Sequence, residues 1–93
     1  MDIQHKEGKS KGSFFIEKAG EVKAEITYSK AGGTKIIIDH TEVSDELRGN
    51  NIGKQLVKYA VSYARDNDLA VMPLCPFAKS VIEGDESLQD VLM

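Results

Sequence analysis

One cysteine, two prolines and no tryptophan are found among 93 residues. A single thiol, Cys75, makes no internal disulfide, so the chain does not depend on an oxidising compartment. Long apolar runs are missing too, and none approaches the roughly 20 residues that a membrane-spanning helix needs. Positive charge is not in excess. Twelve Lys and Arg stand against fifteen Asp and Glu, a net charge of -3, whereas nucleic-acid-binding domains carry a basic footprint. The His and Cys positions have no metal-ligand spacing. The polar start "MDIQHKEGKSKG" lacks the apolar core of a signal peptide. The expectation is a cytoplasmic protein, a monomer or weak dimer, without metal, membrane or nucleic-acid partner.

With 41% hydrophobic and 29% charged residues, the composition is that of one globular domain. It is assigned to residues 13–93, behind a polar, flexible start at residues 1–12. Phe15 and Ile16 mark a first short strand, broken at Ala19 and Gly20. Val22, Ala24, Ile26 and Tyr28 alternate with polar residues, which predicts a strand with one buried face. The "KAGG" stretch then reads as a hairpin turn. A third strand runs from Thr34 to Val43, and its continuous "III" predicts burial on both faces. From Gly49 the period changes. Ile52, Leu56, Ala60 and Ala64 recur every four residues beside Val57 and Val61, one stripe of a helix ending near Asp66. "LAVMP" reads as a fourth strand, and Pro76 suits the first turn of a second helix over Phe77 to Glu83. "DESLQDVL" offers a last turn against the core. The order β-β-β-α-β-α predicts an α/β (α+β) fold around a mixed β-sheet.

The stretch "LRGNNIGKQLV" lies where the last antiparallel strand gives way to the first helix. It is not a P-loop, because three residues rather than four separate Gly49 from Gly53 and Gln55 follows Lys54. It is not a dinucleotide fingerprint either, since Asn51 occupies the second glycine position. What remains is a helix amino terminus entered through glycines, where free N–H groups and the helix dipole point the same way. Such a loop serves either the turn alone or an anion.

Val43, Arg48-Gly49-Asn50-Asn51-Ile52-Gly53 and Leu56 resemble the acetyl-CoA signature of the GNAT N-acetyltransferase superfamily: Arg or Gln, two residues, Gly, any residue, then Gly or Ala. Arg48 and Gly53 match. Asn51 replaces the middle glycine and must supply the same close backbone approach or left-handed conformation, and Asn is the most tolerable non-glycine residue there. The "PLCPF" segment narrows the resemblance to a short single-domain branch carrying such a cysteine, a truncated GNAT-like fold. The resemblance implies acetyl-CoA as co-substrate or ligand. By position, Asn50, Asn51, Ile52, Gly53 and Lys54 would hold its pyrophosphate, with Arg48 and Gly49 beside them, and Thr41, Glu42 and Val43 its pantetheine arm. Full-length members place a strand and two helices ahead of this region to help build the acceptor site.

Cys75, between Pro73 and Pro76, falls at a strand end and a helix start, where a thiol's pKa is lowered. A cysteine there is either a nucleophile or a small buried apolar side chain. His40 and Glu42, two apart on the third strand, are nominally on one face, and either can serve as general base for the Cys75 thiol or an acceptor amine, His40 being the candidate catalytic residue. A bulge would break that argument. His5 reads as solvated, Tyr59 and Tyr63 as partial core, and residues 83–86 as a solvated acidic face. Two functions follow: acetyl transfer to an amine or protein acceptor, directly or through an acetyl thioester on Cys75, or binding of acetyl-CoA without turnover as a sensor or carrier. An interaction module without ligand is a third.

Overall fold

The computed structural model describes residues 2–92. Five strands, β1 (Gln4–Glu7), β2 (Lys11–Lys18), β3 (Glu21–Ala31), β4 (Lys35–Val43) and β5 (Ala70–Pro73), form one sheet in sequence order. Helix α1 (Ile52–Asp66) follows β4 and α2 (Pro76–Glu83) follows β5. The first four strands are antiparallel and β5 runs parallel to β4. A parallel pair needs a crossover, and α1 provides it. This is the expected mixed α/β sheet.

The apolar periods explain the layers. Ala24, Ile26 and Tyr28 turn one face of β3 inward, and the α1 stripe of Ile52, Leu56, Val57, Ala60, Val61 and Ala64 is buried against it. α1 lies across β2 to β5, and α2 packs beside it on β4 and β5. Because both helices cover the same face, the opposite face of the sheet is open. The expected two-sided burial of β4 is therefore corrected: Ile36 and Ile38 are buried and Ile37 only partly so.

A second difference lies at the start. Within residues 1–12, read above as polar and flexible, Gln4–Glu7 form an edge strand paired with β2. All four residues are exposed, so no apolar alternation marks the strand. It is held by backbone pairing and by His5, whose ring stacks on Phe14 at 4.2 Å and whose Nε2 lies 2.6 Å from Tyr28 Oη. His5 is thus one edge of an aromatic cluster with Phe14, Tyr28 and Tyr63, not a freely solvated ring. Tyr63 packs on the core as expected, and Tyr59, 48% exposed, sets its ring edge-on to Phe14 at 6.4 Å. Residues 8–10 alone join β1 to β2.

The carboxyl-terminal segment closes the other side. A 3-10 turn, Glu86–Val91, buries Leu88 and Val91, and Arg65 grips both oxygens of Asp90 at 2.6 and 2.8 Å. Leu92 bridges to Val71 and covers part of the outer edge of β5. No described helix is long and apolar enough to cross a membrane.

Candidate functional site

β4 carries one extra residue. Thr27 pairs with His40 and Tyr28 with Ile38, which leaves Asp39 without a partner in the register. Such a bulge reverses the alternation of faces. Before it Ile36 and Ile38 point to the helices; after it Thr41 and Val43 do, paired with buried Ile26 and Ala24. The pairing of β4 with β5 ends at the same level, at Ile38 and Pro73. There the Ile38 carbonyl accepts from the N–H groups of Leu74 and Cys75 at 3.1 and 3.2 Å, and the chain turns off into α2. The remainder of β4 has a free edge on that side. Ser44 N–H donates to the Lys23 carbonyl on β3, so by strand alternation the backbone groups of Val43 and Thr41 face the gap.

The loop closes the far end of that gap. After a 3-10 turn, Asp45–Leu47, Gly49 adopts φ 88° and Asn51 φ 56°, ψ 27°, the left-handed conformation asked of it. Asn51 precedes α1 without capping it through its side chain. The N–H groups of Ile52, Gly53 and Lys54 have no partner within the helix, whose ladder starts with Gln55 N–H donating to the Asn51 carbonyl. A groove of about 510 Å³ results, lined by Thr41, Val43, Leu47, Arg48, Gly49, Asn51, Ile52, Gly53, Lys54, Phe77 and Val81.

Eight of the residues singled out in the sequence are therefore gathered around one groove. Asn50 is outside the lining, and its side-chain amide reaches back to the Leu47 carbonyl at 3.5 Å. Arg48 pairs with Asp45 at 3.1 Å across an exposed surface. Leu47, Phe77 and Val81 were missed. Phe77 and Val81 are four apart on α2, so they share a helix face; only their periodicity could have signalled it.

Cys75 stands at the N-cap of α2 with Pro76 as the first helical residue. It is 8% exposed, and its Sγ is 3.5 Å from Thr41 Oγ1. Burial pushes the thiol up, but the backbone N–H of Ala78, the Thr41 hydroxyl, and the backbone of Phe77 and Thr41 outweigh it. The net direction is below the ordinary thiol value. His40 is not brought to this thiol. The bulge turns it with Glu42 onto the open face, where His40 Nε2 lies 2.8 Å from Glu42 Oε1 and both are well exposed. That separates His40, and Glu42 as a pantetheine contact, from the groove. Among the described residues no group of His, Cys, Asp and Glu is placed to hold a metal ion.

The model of the GCN5-related N-acetyl-transferases matches residues 13–91. The chain belongs to this family. A GCN5-like protein from Staphylococcus aureus, solved by solution NMR, is 41% identical, with a TM-score of 0.72 over 97% of this chain and 87% of that one. Protein NATD1 of Xenopus tropicalis is 30% identical over 61 residues, 66% of this chain; the chain spans 56% of that relative's length. A GNAT family acetyltransferase from Elizabethkingia anophelis, solved with acetyl-CoA bound, shares the fold at 13% identity and a TM-score of 0.62, over 81% of this chain and 52% of that one. Asn51, which stands at the middle glycine position of the signature, is left-handed in this chain.

Proposed function

We propose that the chain binds acetyl-CoA in this groove and transfers its acetyl group through Cys75. The observation that carries the reading is the meeting of the free β4 edge with the uncapped amino terminus of α1, so that amides for an anion and strand edges for an extended amide-bearing arm line one channel. The pyrophosphate suits the N–H groups of Ile52, Gly53 and Lys54, with the Lys54 ammonium beside them. The amides of the pantetheine arm suit the backbone of Thr41 and Val43, and its methyl groups suit Val43, Phe77 and Val81.

Transfer then needs a nucleophile, and Cys75, itself outside the lining, adjoins the groove through Thr41. The Cys75 thiolate attacks the acetyl carbonyl, a new carbon–sulfur bond forms to Cys75, and the bond to the CoA sulfur breaks. The CoA thiolate leaves and takes up a proton, balancing the one Cys75 lost. Exchange between two thiols is close to thermoneutral, so positioning largely sets its rate. The acceptor is an amine of a small molecule or protein, served from the Cys75 thioester.

A second reading, binding without turnover, is favoured by one observation. Among the described residues the lining of the groove holds no His, Cys, Asp or Glu. Intact-mass spectra after incubation with acetyl-CoA separate the two. The proposal expects one added acetyl group that maps to Cys75 and disappears in Cys75→Ala, whose affinity for CoA stays within about twofold. No adduct, or one on lysines that survives Cys75→Ala, leaves the binder.

A further inference from the structure

The bulge at Asp39 performs a task that the groove alone does not require. It takes a polar side chain from a strand whose inward positions are otherwise apolar and sets it against the one thiol of the chain. Without the extra residue, Thr41 would face the open side with Ile37, and His40 would stand in its place. With it, Thr41 Oγ1 lies 3.5 Å from Cys75 Sγ. In the thiol form Sγ is the donor and Thr41 Oγ1 the acceptor, while the backbone N–H groups of Ala78 and Phe77 in the first turn of α2, and of Thr41 itself, are directed at the sulfur. The Pro76 ring leaves no N–H at the first helical position, so the Thr41 hydroxyl is the side chain on the strand side that can turn donor when the sulfur loses its proton.

We propose that Thr41 is a positioning residue for Cys75: its hydroxyl aims the sulfur at the groove and donates to it once the thiol proton has left. This rests on the acetyl-transfer reading, and it adds a role for a residue assigned above only to the pantetheine arm. No charged side chain is needed. The influences on the thiol are burial and hydrogen bonds, and the nearest titratable pair on β4, His40 and Glu42, faces the opposite side of the sheet. On α2, Lys79 and Glu83 are exposed. Thr41 also lines the groove, so a hydroxyl that turns from Cys75 toward the incoming carbonyl has only one bond rotation to make.

The test separates the hydroxyl from the shape of the side chain. Thr41→Val keeps the volume and branching and removes the donor, while Thr41→Ser keeps the donor. The rate of Cys75 alkylation by iodoacetamide is followed against pH for each, together with CoA binding. Thr41→Val is expected to raise the midpoint by about one pH unit, a tenfold smaller thiolate fraction below it. Thr41→Ser is expected to return it to within a few tenths of a unit of the wild type. CoA affinity, which reads the backbone of Thr41, is expected to stay within about threefold in both. An unchanged midpoint in Thr41→Val overturns the proposal, and so does a midpoint that Thr41→Ser fails to restore while its CoA affinity is intact. If the wild type takes up no acetyl group yet the midpoint moves as stated, the transfer reading falls and the role of Thr41 stands.

Discussion

Gly53 offers a sharp test of the amide cradle, because its substitution strikes the groove while sparing most of the core. A Cβ placed there would lie 2.8 and 2.9 Å from Cζ and Cε2 of Phe77 and 3.6 Å from Cγ2 of Val43. Contacts below 3 Å force one partner to move. Phe77 is 45% exposed, so its ring can swing outward at little cost to the fold. Gly to Val within a helix changes propensity by only a few tenths of a kcal/mol. The expected change in unfolding free energy for Gly53→Val is therefore less than about 1 kcal/mol. The groove fares worse, since Gly53 and Phe77 form adjoining parts of its wall. A hydrogen bond to a charged group contributes about 1.5–3 kcal/mol. Losing one or two such bonds from N–H to phosphate, with Phe77 displaced, predicts about 2–4 kcal/mol of lost CoA affinity, roughly 30-fold to 1000-fold. Calorimetric titration with CoA beside urea unfolding measures both quantities. Binding by Gly53→Val within about threefold of the wild type refutes the cradle. A loss of several kcal/mol in stability would instead make Gly53 a packing residue and remove the basis of the argument.

Two further outcomes follow from the charges. Lys54→Ala is expected to weaken CoA binding by about tenfold at low salt and by less at high salt, and Arg48→Ala by less than Lys54→Ala, because Asp45 already partners the Arg48 guanidinium; titrations at two ionic strengths give the order, and a reversed order contradicts it. At the other end of the sheet, burial against Phe14 lowers the pKa of His5, with Glu7 acting to raise it and Lys30 to lower it. The folded state thus binds the His5 proton less readily than the unfolded chain does. The stability that this contributes is present above the ordinary value near 6.5 and is lost as pH falls through the lower folded value. Unfolding free energy measured between about pH 7 and pH 5 is expected to fall less steeply in His5→Phe, which keeps the stacked ring and removes the titration; equal slopes would show that His5 does not carry the effect.

The regular parts of the fold were legible because their periods are strong. The stripe from Ile52 to Ala64 names its helix, and the alternation from Ala24 to Tyr28 its strand. β1 was not legible. Its four residues are exposed, and it is fixed by pairing to β2, from Glu7 with Gly12 out to Gln4 with Phe15. A window of neighbouring residues carries no record of that. The apolar run in β4 misled for a related reason: Ile36, Ile37 and Ile38 look alike in the chain, and only the presence of both helices on one face separates them.

The candidate site divides along the same line. The loop could be read locally, since the need for a left-handed residue at Asn51 and for free amides at a helix start are properties of the backbone there. The partner of Cys75 could not. Counting by twos along β4 from Ile36 and Ile38 puts His40 and Glu42 inward, and one bulged residue puts Thr41 and Val43 there instead. A single residue of register thus exchanges an imidazole for a hydroxyl beside the thiol, and a base for a donor. That exchange changes the chemistry to be expected. A thiol paired with an imidazole needs proton transfer from sulfur to nitrogen, and its activity follows the titration of both. A thiol held by a hydroxyl and helix amides, as Cys75 is, loses its proton to solvent. Its reactivity should rise with pH in a single step and show no second, falling limb from a histidine.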